Sequence, residues 1–215
     1  MSIAAPAVRP RLEAHDLACI RADELVFRGV GLAVAPREVV QIVGANGSGK
    51  TSLLRILCGL APPADGVVRW DGEDIQTLGK RYTAALCYLG HLNGVTPTLT
   101  AAENLRFAAR LCRAKPDLDL DDVLERIGLT AIADVPARRL SAGQRQRVAL
   151  ARLLVADAPL WVLDEPLTAL DAAGKALVER LLAAHATQGG LAVVSTHQPL
   201  VLPPEIALGS MTIGD

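Results

Sequence analysis

The stretch GANGSGKT, Gly44 to Thr51, fits the pattern GxxxxGK[ST]. It follows the apolar run VVQIV and precedes KTSLLRILCGL, whose Leu53, Leu54 and Leu57 recur at helical spacing. A loop of this kind between a strand and a helix cradles phosphates. Gly44, Gly47 and Gly49 let backbone N–H groups turn toward a phosphate with no Cβ in the way, and Ala45, Asn46 and Ser48 complete the turn. Lys50 supplies a point charge to the β- and γ-phosphates, Thr51 offers a hydroxyl to Mg2+, and Ser52 carries the chain into the helix. The loop alone fits kinases, GTPases, helicases and transport ATPases.

A second constellation lies in LWVLDEP, where Asp164 and Glu165 follow an apolar run directly. We expect this run to be a strand beside the phosphate-loop strand. Asp164 would then hold Mg2+ through its water shell, and Glu165 would polarise an attacking water as general base. His197 follows the last apolar run, LAVVST. At the carboxyl edge of a parallel sheet it faces the ligand crevice, where it can hold that water and Glu165 in line.

The third is LSAGQRQRVALARLL, Leu140 to Leu154. Ser141 with Gln144 three residues on has the form of a capping box. Three backbone N–H groups, a hydroxyl and a helix dipole converge beside Gly143, a good seat for an anion. Yet the phosphate loop already opens its own helix, and some ninety residues separate the two, so one chain would have difficulty bringing both to one γ-phosphate. Two chains packed head to tail remove the difficulty. The patch Ser141, Ala142, Gly143 and Gln144 then caps the nucleotide in the other copy's loop, and the copies self-associate when the nucleotide binds.

Strands alternating with helices predict an α/β fold with a mostly parallel sheet, joined by an antiparallel β portion. Leu12 to Gly31 reads as short strands, and VVRWDGEDI as paired strands around Asp71 and Gly72. AALCYLG is a further strand. Helices are expected over 101–113, 120–127, 144–155 and 175–185. The α/β core would cover about 12–90 and 151–215, with a helical insert over about 91–150, all within a single domain of 215 residues.

Hydrophobic residues make up 51% of the chain and charged residues 21%, enough for a sizeable core. A net charge of −1 leaves no electrostatic footprint for nucleic acid. Arg138, Arg139, Arg145 and Arg147 read as solvated helix-start and interface charges rather than a polyanion patch. Cys19, Cys58, Cys87 and Cys112 lie far apart with no CxxC, which points to buried thiols in a reducing compartment. No run of 18 apolar residues exists to span a bilayer. The start, MSIAAPAVRPR, reads as a short loose tail and not a signal peptide. A mean hydropathy of +0.31 hints at surface that a partner covers, although an Ala/Leu/Val-rich composition gives the same value.

The phosphate loop, LSAGQ, LDEP, TALD and STHQ occur in the order of the ATP-binding-cassette ATPases, and the resemblance covers nearly the whole chain. It implies that Lys50 and Thr51 are the Walker A contacts to ATP and Mg2+, and Asp164 the Walker B acid. Glu165 would be the catalytic carboxylate, Ser141, Gly143 and Gln144 the signature, Asp171 a residue at the subunit seam, and His197 the switch histidine. YLGHLNGVTPTLTAAENLRF, Tyr88 to Phe107, resembles more narrowly the branch that serves haem export in cytochrome c biogenesis. That branch implies a peripheral ATPase on the cytoplasmic face of the inner membrane, reaching the membrane only through integral partner subunits.

The sequence departs from the family's pattern at three positions. His91 stands where a glutamine usually links the metal site to the membrane partner, so a metal contact there is weakly supported and a partner-facing role survives. Ala142 replaces the second signature glycine. Arg21 falls where an aromatic usually lies under adenine, and a guanidinium can stack on a base as well. Alternative readings are the ATPase of another exporter or remodelling machine, a soluble cassette acting on DNA or ribosomes, and an ATP-dependent clamp with little turnover.

Overall fold

The computed structural model describes residues 9–214. The first eight residues, on which most of the expected tail falls, lie outside that range. Two sheets organise the chain. The first is antiparallel: β1 (Leu12–Arg21), β2 (Glu24–Val34), β4 (Asp65–Trp70) and β5 (Glu73–Asp74), in the order β2-β1-β4-β5. The short strands expected up to Gly31 are therefore two long ones, paired from Leu12↔Val34 to Arg21↔Glu24 around a tight turn at Ala22 and Asp23.

The second sheet is parallel throughout: β3 (Glu38–Val43), β6 (Leu86–Leu89), β7 (Leu160–Asp164), β8 (Leu191–Ser195) and β9 (Ala207–Thr212), in the order β6-β7-β8-β3-β9. This corrects the expected neighbourhood of the acid-pair strand. β8 lies between β7 and the phosphate-loop strand β3. β9 was not anticipated; it runs along β3 from Glu38↔Ala207 to Val43↔Thr212.

The central strands are apolar on both faces because both are covered. Val39, Trp161, Leu163, Ala192 and Val194 face α4 (Ala101–Leu111), α5 (Leu120–Arg126), α6 (Ala142–Val155) and α7 (Ala172–Thr187). Val40, Ile42, Leu160, Val162, Leu191 and Val193 alternate with them and face α1 (Lys50–Leu57) and the antiparallel sheet. Of two short helices, α2 (Ile75–Leu78) packs against β4 and β5, and α3 (Lys80–Ala84) against β6. The helices of the insert share one apolar cluster with the sheet, and the boundary expected at 150/151 falls inside α6.

Three of the four cysteines are buried as expected. Cys112, at the C-cap of α4, is exposed, because it falls at the helix end beyond the buried face of Ala101, Ala102, Asn104 and Leu105. Among the described residues no helix is long and apolar enough to cross a membrane.

Candidate functional site

A cleft of about 500 Å3 opens at the carboxyl ends of the parallel strands. The phosphate loop forms its floor. Gly49 is the N-cap of α1 at φ +99, where a Cβ would stand 2.7 Å from Cγ1 of Val26. Only glycine fits a left-handed position pressed that closely against β2. No side chain caps α1, so the first-turn N–H groups remain available to an anion.

Lys50 is buried, and its ammonium donates to the carbonyls of Gly44 at 2.8 Å and Ala45 at 3.0 Å. It also stands 3.9 Å from Oε1 of Glu165 and 3.5 Å from Nε2 of His197. The Thr51 hydroxyl donates to Oδ2 of Asp164 at 2.8 Å, although β8 separates their strands. The loop and first turn of α1 reach across the sheet end to make that contact.

Ser195, which sequence reasoning passed over, orients the acid pair. Its hydroxyl donates to Oδ1 of Asp164 at 2.7 Å and accepts from the Glu165 N–H at 3.0 Å. It is fully buried at the end of β8, and only its place just before Thr196 and His197 could have marked it. Glu165 has φ +52, an uncommon value for a residue with a side chain, and this turns the chain at the end of β7 just before Pro166. Its Oε1 lies 3.0 Å from Nε2 of His197 without hydrogen-bond alignment, so this buried oxygen has no hydrogen-bond partner. A carboxylate oxygen in that position can accept a proton from water.

Arg21, Asn46, Gly47, Ser52 and His91 also line the cleft, with Val26 and Thr168. The structure thus brings Arg21, at the turn end of β1, and His91, on the loop after β6, to the same space as Lys50, Glu165 and His197. Ser141, Ala142, Gly143 and Gln144 are not among the lining residues. They open α6 with a capping box: the Ser141 Oγ accepts from the Gln144 N–H at 3.1 Å, and the Gln144 Oε1 accepts from the Ser141 N–H at 2.8 Å. The capping box is as expected, and it takes up one of the three N–H groups that converge there. The Gln144 N–H is committed to the cap, leaving those of Ala142 and Gly143 with the serine hydroxyl.

Gly143 lies close to the loop after the acid pair; a Cβ there would stand 3.0 Å from the carbonyl of Ala169. Gln146 donates to the Pro166 carbonyl at 3.0 Å, and Arg147 pairs with Asp171 at 3.6 Å. Asp171 is exposed and is also the N-cap of α7, accepting from the Gly174 N–H at 2.8 Å. Of the four arginines read as solvated, Arg138 and Arg139 are exposed, while Arg145 turns in to the Leu140 carbonyl.

Oxygen donors from Thr51 and Asp164, next to a phosphate loop, suit a hard divalent cation such as Mg2+. No group of three or more His, Cys, Asp or Glu gathers among the described residues, so such an ion would draw its remaining ligands from phosphate and water.

A phosphate loop and an oriented acid pair on a parallel sheet define a P-loop nucleoside triphosphatase. The ABC transporter family model matches residues 27–168, and the chain belongs to that family. As a member it is an ATP-hydrolysing subunit of a membrane transporter. The cytochrome c biogenesis ATP-binding export protein CcmA 2 of Cupriavidus metallidurans is 50% identical over 88% of this chain and 90% of its own. The CcmA protein of Nitrosospira multiformis is 50% identical over 89% of this chain and 93% of its own. Among solved structures, a dimeric post-hydrolysis state of an ATP-binding cassette, bound to ADP and Pi, superposes with a TM-score of 0.76. It is 26% identical, over 87% of this chain and 88% of its own.

Proposed function

We propose that the cleft binds ATP with Mg2+ and hydrolyses it between two copies of the chain, and that the energy drives haem-linked export for cytochrome c biogenesis. The convergence of Lys50 and His197 on the unpartnered Oε1 of Glu165 carries the catalytic part. Lys50, the loop N–H groups and the uncapped first turn of α1 hold the phosphates. Arg21, which lines the same cleft, would lie against the base. Thr51 and Asp164 would hold Mg2+, which when bound neutralises charge on the phosphate oxygens. Water attacks the γ-phosphorus in line with the bond to ADP. Glu165 takes the water's proton, His197 holds the carboxylate in place, and the products are ADP and phosphate.

The partner copy's Ser141 hydroxyl and the Ala142 and Gly143 N–H groups would close the cleft from above the γ-phosphate. Asp171 would lie along the seam. Breaking the γ-bond removes the ligand that both copies share, which reopens the pair.

The cargo assignment rests on the two relatives named for cytochrome c biogenesis export. A chain whose described helices cannot span a bilayer would meet its cargo pathway through integral subunits. We place it on the cytoplasmic face of the inner membrane, where ATP is supplied, with short helices of those subunits docking near His91 and the helical insert.

The Glu165→Gln exchange tests the catalytic reading. It keeps the side chain's size and removes its ability to accept a proton. Turnover should fall about 100-fold or more, and with ATP the protein should elute as a dimer in gel filtration. Turnover near the wild-type rate would end the catalytic reading, and a lone copy with ATP bound would end the shared-site reading.

A further inference from the structure

Gln41 sits in the middle of β3, the apolar strand that leads into the phosphate loop, and only 7% of it is exposed. A primary amide in such a place is costly unless both of its ends are bonded. Both are. Its Nε2 donates to the Gln198 carbonyl at 3.1 Å, and its Oε1 accepts from the Leu200 N–H at 3.2 Å. The side chain leaves β3 on the same face as Val39, two residues back, and Leu200 enters the apolar cluster to which Val39 belongs.

The two bonds supply what the segment after β8 lacks. Pro199 has no N–H to give. Among the described residues neither the Gln198 carbonyl nor the Leu200 N–H has a backbone partner. The Gln41 amide presents one donor and one acceptor to them, as the edge of a strand would. It continues the ladder where β8 has already ended at Ser195.

His197 lies directly before this bonded segment. The residue in front of it is tied to the same strand, because the Thr196 N–H donates to the Ile42 carbonyl at 3.2 Å. The Thr196 hydroxyl then bridges across the histidine, accepting from the Gln198 N–H at 3.0 Å and donating to the Gln198 carbonyl at 3.2 Å. The chain is thus fastened on both sides of His197, and both fastenings return to β3, at Ile42 and Gln41. The ring itself has little to hold it. Its side chain is 47% exposed, and its approach to Oε1 of Glu165 lacks hydrogen-bond alignment. Its place opposite the carboxylate is inherited from its backbone.

We propose that Gln41 is a positioning residue for His197 in ATP hydrolysis. It does not line the nucleotide cleft. It acts by holding the segment from Gln198 to Leu200 against the strand that enters the phosphate loop three residues later, at Gly44. Loop and histidine are then referenced to one strand. That keeps the ring 3.0 Å from Oε1 of Glu165 and 3.5 Å from Nζ of Lys50. Letting the segment drift by about 1 Å would carry the ring off the carboxylate, and misplacements of that size cost up to about 100-fold in rate. The inference rests on the role given to His197 above.

A double-mutant cycle on the full chain tests it. Gln41→Met keeps the length of the side chain and removes both bonds. In steady-state ATP hydrolysis kcat should fall about tenfold or more, with KM for ATP within about twofold, because the phosphate contacts are intact. In a His197→Ala background the same exchange should change kcat by less than about twofold, since no ring is left to misplace. Hydrogen exchange in the wild-type protein gives a reading that needs no variant. The Leu200 N–H, which belongs to no helix or strand, should be protected; exchange at the rate of a free amide would show that the Gln41 bond is absent and overturn the inference.

If His197→Ala itself leaves turnover at the wild-type rate, the role of the histidine fails and that of Gln41 with it. If His197→Ala slows turnover and Gln41→Met does not, the histidine stands and Gln41 is only a buried amide. A Gln41→Met loss that appears as a raised KM acts on the phosphate loop, and one that persists undiminished without the histidine acts on the fold at large. Either result overturns the positioning role.

Discussion

Ser141 has two duties in this reading, and the structure supplies a matched control that separates them. Its hydroxyl caps α6, accepting from the Gln144 N–H at 3.1 Å while Gln144 Oε1 accepts from the Ser141 N–H at 2.8 Å. Thr100 caps α4 in the same way, with Glu103 as its partner at the same two distances, 3.1 and 2.8 Å. Replacing either capping residue by alanine costs about 1 kcal/mol of folding stability. In a chain of this size that lowers Tm by about 2–4 °C. Starting from even ~5 kcal/mol, about 4 kcal/mol remains, so about one molecule in a thousand is unfolded. Stability therefore cannot explain any large loss of function in either variant.

The second duty belongs to Ser141 alone. A hydroxyl donating to a γ-phosphate contributes about 1.5–3 kcal/mol, or roughly 10- to 150-fold per site. A symmetric pair contains two such sites. Ser141→Ala should thus weaken the ATP-dependent dimer by about 100-fold or more, whereas Thr100→Ala should leave it within about threefold. Sedimentation with ATP in a Glu165→Gln background measures the dimer, and calorimetry checks that both melts shift alike. If Thr100→Ala weakens the dimer as much as Ser141→Ala, or if Ser141→Ala leaves it intact, the serine is only a cap and the sandwich is wrong.

Two further outcomes are open to direct measurement. His185 stacks on Trp161 with centroids 3.8 Å apart and planes 7° from parallel, and its Nε2 lies 3.1 Å from the Pro159 carbonyl. Burial pushes this imidazole from 6.5 down to about 4. The unfolded chain takes up that proton near 6.5 and the folded chain only near 4. The stability due to the neutral ring is therefore complete above 6.5 and is lost as pH falls toward 4, by up to about 3 kcal/mol. His185→Phe keeps a ring on Trp161 and takes no proton, so urea unfolding of the variant should lose that much less stability between pH 7 and pH 4. Equal losses would show that His185 does not titrate between the two states. For the base end of the cleft, Arg21→Ala should weaken ATP by about two- to fivefold, the worth of an exposed stacked cation, and tripolyphosphate hardly at all. Equal losses on both ligands would reduce Arg21 to a charge.

The parts legible in sequence were those in which local chemistry and local geometry coincide. A phosphate loop needs its glycines, its lysine and its flanking apolar runs within some twenty residues, so Gly44 to Leu57 could be placed before any fold was known. The capping box at Ser141 is equally local; the one at Thr100 is just as local and was passed over. Strand order is not. Nothing in LWVLD or LAVVS says which of them lies next to VVQIV, since each reads as a buried strand with both faces apolar. The contact of Thr51 with Asp164 survived the wrong neighbour because the loop reaches past β8. β9 escaped notice because it is an edge strand: Ala-Leu-Gly-Ser-Met-Thr is mostly exposed and has little apolar pattern to betray it. The start of α7 was placed three residues late because Gly174 reads as a break. In the structure Gly174 donates its N–H to the Asp171 cap instead. Ser195 was passed over because its partners, Asp164 and Glu165, come from another strand thirty residues away.

These contacts give α6 a particular place in the molecule. It carries the signature patch at its first turn and Arg152 in its last, about 16 Å apart along a rigid helix. Gln146 and Arg147 fasten it to the segment from Pro166 to Asp171, which leaves the acid pair directly. The loop at Gly94 touches Arg152, and His91, three residues earlier, borders the nucleotide cleft. A nucleotide that pulls on Glu165 or His91 therefore acts on the same helix from two sides. A ligand shifts such an element only by as much as it binds one position better than the other. In the proposed sandwich the γ-phosphate would supply that difference at the Ser141 end, because ADP would have nothing there to bind.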